Sequence, residues 1–196
     1  VDNTFMTPYF QNPLKEGADV VVHSGTKYLS GHNDTVCGFL CSGNQELADR
    51  FRLLSKTTGA TLGPFESWLC LRGLKTLALR MERHKSNAEA VSRWLREQSV
   101  VTNVYYAGSG MISFTVTSSE IAVAILKNIR LITFAESLGG TESLLTYPAV
   151  QTHPDVPREQ REKLGITDTL LRLSVGIENP DDIIADLKQA FENAEK

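Results

Sequence analysis

The chain has 196 residues, 41% hydrophobic and 22% charged, with a formal net charge of −3. That is the composition of a folded globular chain, enough for one large or two small domains. Without a basic block, nucleic acid and anionic membrane are excluded as expected partners, and no apolar run is long enough for a signal segment or a membrane span. Cys37, Cys41 and Cys70 show no paired spacing, which fits a reducing cytoplasm and buried small side chains. The four histidines show no ligand spacing, so no metal is expected.

Val1-Asp2-Asn3-Thr4-Phe5 reads as a strand end with a carboxylate at its tip. Pro8 and Pro13 interrupt regular structure, and Pro13-Leu14-Lys15-Glu16 reads as a short helix. Ala18 to Val22 is an apolar, β-branched run, expected as a strand buried on both faces of a parallel sheet. A polar loop follows, with Ser24, Thr26, Tyr28, Ser30, His32, Asn33 and Asp34 around a single lysine, Lys27. Thr35 to Cys41 reads as a strand, Glu46 to Leu54 as a helix and Thr57 to Pro64 as a loop. Phe65 to about Gln98 is a long helical pattern. Trp68, Leu71, Leu74, Leu77 and Leu79 to Met81 form its apolar face, Glu82, Arg83, Lys85 and Glu89 its wet one. Gly73 marks a kink or break, and Arg72 and Lys75 read as a solvated or interface face.

Thr102 to Tyr106 and Met111 to Thr117 are two strands joined by Ala107-Gly108-Ser109-Gly110. Glu120 to Asn128 is an amphipathic helix, Leu131 to Phe134 a short strand, and Tyr147 to His153 an irregular strand. Pro157 to Leu164 is a short charged helix stopped by Gly165. Leu170 to Val175 is a strand carrying Arg172 inside an apolar run. Asn179-Pro180-Asp181-Asp182 starts the last helix, whose buried face is Ile183, Ile184, Leu187, Ala190 and Phe191.

Four places are candidates for chemistry, each with more than one reading. Lys27 directly after a buried strand has the placement a Schiff-base amine needs, because partial desolvation frees the neutral amine. It also fits a solvated loop lysine. Ser24 and Thr26 flank a glycine and can aim hydroxyls and N–H groups at a phosphate, or cap a turn. An arginine inside an apolar strand needs an anion, which Arg172 finds in an internal carboxylate or in a bound one. Asp2 reads equally as a helix cap or turn residue.

Four motifs change the balance: His23-Ser24-Gly25-Thr26-Lys27-Tyr28-Leu29-Ser30-Gly31-His32-Asn33-Asp34, Leu71-Arg72-Gly73-Leu74-Lys75-Thr76-Leu77, Ala135-Glu136-Ser137-Leu138-Gly139-Gly140 and Leu171-Arg172-Leu173-Ser174-Val175-Gly176. With Val1 to Phe5 upstream, they make the chain resemble the C-terminal half of the pyridoxal-phosphate enzymes of cysteine and methionine metabolism: cystathionine lyases, cystathionine γ-synthase and methionine γ-lyase.

The resemblance implies an α/β fold of the fold-type I, aspartate-aminotransferase-like class. Residues 1–70 would be the end of the cofactor domain and 71–196 the small C-terminal α/β domain. It implies pyridoxal 5'-phosphate as cofactor, Lys27 as the amine that binds it, Asp2 on its pyridine nitrogen, and Ser24 and Thr26 on its phosphate. Ser137 would orient the substrate amine, Arg172 grip the substrate α-carboxylate, and Glu136 face the distal end of the substrate. The implied activity is a cystathionine-type C–S lyase, with a γ-synthase or sulfhydrylase as the alternative and methionine γ-lyase after it. A cytoplasmic homotetramer built from dimers is implied as well. The chain lacks an initiator Met and reads as a fragment, so further cofactor contacts are expected upstream, and an inactive half needing that part is the other expectation. The family's longer excursion where this chain has Ala107–Gly110 is a departure.

Overall fold

The computed structural model describes all 196 residues, Val1–Lys196. They divide into two compact units, Val1–Met81 and Glu82–Lys196. No helix is long and apolar enough to cross a membrane.

The first unit is built around a short strand, β1 (Val21–Ser24), paired antiparallel with β2 (Gly38–Cys41). Asp2 bridges to Val22 in parallel beside it. Burial along β1 alternates, with Val21 buried and Val22 39% exposed. The expected strand, buried on both faces of a parallel sheet, is therefore corrected in this chain to a later one with period-2 burial. The strand expected from Thr35 is corrected to Gly38–Cys41, because residue 37 is engaged by the loop: Cys37 N–H donates to Thr26 Oγ1 at 3.0 Å.

Helix α1 (Thr7–Phe10) and a 3₁₀ turn at Pro13–Glu16 precede β1, both opened by proline. After β2 come α2 (Gln45–Thr58), capped by the Asn44 side chain, and α3 (Pro64–Leu74). The long helical pattern from Phe65 is corrected to two helices, α3 and α4 (Leu77–Arg96). The break falls after Gly73, where a kink or break was expected: Thr76 turns its hydroxyl back to the Gly73 carbonyl at 3.1 Å. Of the apolar face expected there, Met81 is buried, whereas Trp68, Leu71 and Leu79 are more than half exposed. Cys70 is buried as expected, whereas Cys41 is exposed, a correction that follows from the edge position of β2 in its pair.

The second unit is a five-stranded sheet in the order β3-β4-β7-β6-β5. Its strands are β3 (Val101–Tyr106), β4 (Met111–Val116), β5 (Thr133–Phe134), β6 (Leu144–Thr146) and β7 (Leu170–Ser174). All neighbours are antiparallel except β5 and β6. Ala107–Gly110 closes β3 and β4 into a tight hairpin. Ile112 and Phe114 from β4, Leu145 from β6, and Leu171 and Leu173 from β7 belong to one core. The same core takes Ala88, Val91 and Leu95 of α4 and the apolar sides of α5 (Ser119–Asn128) and α8 (Pro180–Ala194). Alternation then puts Ser113, Thr146 and Arg172 on the other face, where they are register partners.

The irregular strand expected at Tyr147–His153 is corrected to a helical turn, α6 (Pro148–Gln151). Pro148 opens it and Gln151 Oε1 accepts the Tyr147 N–H at 2.8 Å. Helix α7 (Arg158–Lys163) ends before Gly165, at φ +78°.

Candidate functional site

Lys27 lies in a single wide helical turn, Gly25–Leu29, that starts where β1 ends. Ser30 N–H donates to Gly25 O at 3.0 Å, and Gly31 N–H to Lys27 O at 2.8 Å. At Lys27 the backbone leaves the helical region (φ −91°, ψ −129°). The turn is packed from below: a Cβ on Gly25 would run into the Cys37 sulfur and the Phe39 ring. That is why only glycine fits between β1 and the turn.

Asp2 sits beside the same strand. Its Oδ1 accepts the Thr4 N–H at 2.9 Å, an Asx turn. Hydrogen bonds from the Thr4 hydroxyl and N–H hold the Asp2 carboxyl below its ordinary value, with a smaller pull from His23. Thr4 Oγ1 also accepts the Ser24 N–H at 2.8 Å. Thr4 therefore ties Asp2 to the start of the loop; the Asp-x-Thr spacing was the available signal for it. Burial pushes His23 below its ordinary value, opposed by Asp2.

The Ser24 hydroxyl is used by no hydrogen bond within the chain. Thr26 is engaged with one residue: its N–H and hydroxyl both donate to Cys37 O, at 3.2 and 3.3 Å, and its hydroxyl accepts the Cys37 N–H. So Asp2, Ser24, Thr26 and Lys27 gather around the end of β1.

The second unit gathers the other three residues. Arg172, on the central strand β7, donates from Nη2 to Glu136 O at 2.6 Å and to Thr146 Oγ1 at 3.2 Å. Thr146, itself buried, donates its hydroxyl to Ala135 O at 2.7 Å. Arg172 has no salt bridge, and its buried Nε has no hydrogen-bond partner. Burial lowers its guanidinium below the ordinary value, opposed by the Glu136 carboxylate. A buried donor without an acceptor is what a site for an external carboxylate leaves behind.

Ser137 is half-buried and Glu136 exposed. The loop that carries them is fixed from β7 onward: Gly139 N–H donates to Ser174 Oγ at 2.9 Å, and Glu178 accepts the Ser143 N–H at 2.6 Å and its hydroxyl at 3.0 Å. Thr146 was missed by sequence reasoning; its signal, a threonine register partner of the arginine, exists only once the strands are paired.

A family model described as "Cys/Met metabolism PLP-dependent enzyme" matches residues 1–192. The chain is 55% identical over 194 residues to a cystathionine gamma-synthase of Haemophilus influenzae, covering 98% of this chain and 53% of that protein. It is 48% identical over 210 residues to a cystathionine gamma-lyase of Bacillus subtilis, covering 98% of this chain and 55% of that protein. A solved cystathionine gamma-lyase from Lactobacillus plantarum superposes with a TM-score of 0.96 at 40% identity, over 99% of this chain and 55% of that one. The fold class expected from the sequence is the one found. The chain spans about half the length of these relatives.

Proposed function

Because the chain belongs to the family of pyridoxal-phosphate-dependent enzymes of cysteine and methionine metabolism, we propose that it carries the lysine and the carboxylate-binding arginine of an enzyme acting at the carbon–sulfur bond of a sulfur amino acid. Residues 1–70 would then be the end of a cofactor domain and 71–196 a small substrate domain. The observation that carries the reading is the end of β1, where one strand brings together an ionised Asp2 and Lys27.

The residues present fit the cofactor. Asp2, held ionised by Thr4, suits a protonated pyridine nitrogen; the unused Ser24 hydroxyl and the Thr26 segment suit a phosphate. When bound, the protonated ring withdraws electrons from the substrate carbon next to the amine. Lys27 would hold the cofactor through its aldehyde group and, once freed by the substrate amine, would carry through Nζ the proton of the substrate carbon next to that amine. Ser137 orients the amine, Arg172 holds the α-carboxylate through Nε and its neighbouring donors, and Glu136 faces the distal end. A thiolate then leaves from the β carbon, or from the γ carbon once a second proton moves.

A second reading, γ-replacement joining cysteine to an activated homoserine, is supported by the alignments. The γ-synthase aligns over 194 residues and the γ-lyase over 210, at equal coverage of this chain, so the lyase carries residues that this chain and the synthase lack. A cytoplasmic tetramer of paired dimers is part of both readings.

The test is the absorbance of the purified protein with pyridoxal phosphate, before and after borohydride. A visible band lost on reduction, with the label mapping to Lys27, supports the reading. Cystathionine turned over to pyruvate or 2-oxobutyrate marks a lyase, and cystathionine formed from cysteine marks a synthase. No band means that this chain alone does not make the site, and the inactive half becomes the reading.

A further inference from the structure

The Leu71–Leu77 motif has no part in the chemistry above, yet its backbone lies directly on the Lys27 turn. A Cβ on Gly73 would collide with the Ser30 carbonyl, so only glycine lets α3 come this close. Arg80 is 4% exposed and reaches the same place from α4. Its Nη1 donates to Tyr28 O at 2.7 Å, its Nη2 to Gly73 O at 2.9 Å and to Leu29 O at 3.5 Å, and its Nε to Thr76 Oγ1 at 3.0 Å. Thr76 in turn donates to Gly73 O.

A buried guanidinium is expensive, and the usual compensation is a carboxylate. Arg80 has none: every acceptor it reaches is a carbonyl or a hydroxyl, and two of the carbonyls belong to the two residues after Lys27. Carbonyls at the end of a turn carry partial negative charge and have no partner of their own along the chain. The planar fork reaches Tyr28, Leu29 and Gly73 at once, which an ammonium cannot do from one rotamer. Ordinary structural arginines hold a carboxylate; this one holds the far end of the turn that presents a lysine.

We infer that Arg80 is a positioning residue for Lys27: with Gly73 and Thr76 it clamps the Gly25–Leu29 turn and so fixes where the Lys27 amine stands. The inference rests on Lys27 being the reactive amine, and the clamp can be read without that assumption.

The experiment compares the intact protein with its R80M, R80K and T76V variants. Amide hydrogen exchange is followed at Ser30 and Gly31, whose N–H groups close the turn, with Val21 to Ser24 as the internal reference. The rate at which an amine-reactive acylating reagent labels Lys27 is read without cofactor. The rate of borohydride-trapped pyridoxal phosphate at Lys27 and the visible circular dichroism of the bound cofactor are read with it. In R80M, exchange at Ser30 and Gly31 rises at least about tenfold while β1 stays protected, and labelling and trapping at Lys27 change by at least about tenfold, as misplacement of a reacting group requires. R80K recovers little of this, because charge alone does not restore the fork. T76V, which removes one acceptor and leaves the guanidinium, moves the same readouts by about threefold and keeps the test open where R80M does not fold. A lowered melting temperature with unchanged Lys27 labelling in T76V and R80K would overturn the inference. A wild-type protein that traps no cofactor at Lys27 would instead overturn the function proposed above, leaving the exchange and labelling results to decide the clamp.

Discussion

In Glu82–Lys196, Ile112, Phe114, Leu145, Leu171, Leu173, Ile183 and Leu187 are fully buried in one cluster, whereas in Val1–Met81 only Tyr28 and Met81 among the large side chains are. The first unit instead leaves Val36, Leu53, Phe65, Trp68, Leu71 and Leu79 more than half exposed. What gives it shape around Lys27 is a set of polar links: Arg80 to three carbonyls, Thr4 between Asp2 and Ser24, Thr26 on Cys37. Hydrogen bonds contribute about 1 kcal/mol each but are directional. Apolar burial contributes more and is not directional. The difference teaches that here the amine proposed to react is held by directional polar links, and the arginine proposed to bind substrate by a core that its own strand shares. Exposed apolar area on the scale of the first unit marks a surface made to be covered.

The largest effect expected separates chemistry from fold in the first unit. Lys27→Ala lowers turnover of the proposed substrates by at least about 10⁴-fold, in the range seen when a nucleophile is removed. Its melting temperature stays within a degree or two of the parent; a K27A protein that still turns over would break the division of labour. Next, the two units are set against each other by truncation. Phe114→Ala costs about 3–5 kcal/mol in denaturant unfolding, while Leu79→Ala, 71% exposed, stays within about 0.5 kcal/mol in the same assay. Equal losses would mean that the first unit has a core of its own.

Arg172→Lys is the next in size. It raises KM about 10- to 100-fold, because an ammonium offers a carboxylate no parallel pair of donors. Initial rates against substrate concentration decide it. Acidification should then weaken the first unit before the second. A histidine held below its ordinary 6.5 favours the fold above that value and withdraws its support as pH falls through the depressed one. Protection of the Val21–Ser24 amides, relative to their intrinsic exchange, therefore falls as pH drops below 6.5 while that of β4 and β7 does not change, and His23→Gln removes the difference. The smallest effect belongs to Thr4. Asp2, held below 3.8, supports the fold above that value and ceases to as pH falls through its lowered one. Thr4→Val returns Asp2 toward its ordinary value, so the last step of acid unfolding moves to higher pH.

The second unit was largely legible in the sequence, because most of its strands and helices carry the period of the element they form; the short β6 and α6 are the exceptions. Ser118 caps α5 and Asn179 caps α8, and the apolar positions of α8 fall where a helix against a sheet wants them. The first unit was less so. Val22 belongs to an apolar run and is 39% exposed, and Trp68 sits in a helical stripe that nothing in the chain covers. Patterns of that kind report burial against something, and they do not say what. At the site, residue types and placement offered Lys27 and Arg172 as one of two readings each, and the family resemblance decided between them and supplied Asp2. Thr4 was legible only as an Asp-x-Thr spacing, while Thr146 and Arg80 were not visible, because each acts across a fold contact: a strand register for Thr146, a turn brought back over fifty residues for Arg80.

Strand β7 puts Leu171 and Leu173 into the core and Arg172 onto the opposite face, between Ser113 and Thr146. Odd and even positions of one short segment thus answer to different selective pressures. Drift at positions 113 and 146 can reshape what the arginine meets without touching a methyl group of the core. A fold with that separation is free to change its substrate while keeping its stability, one alternate residue at a time.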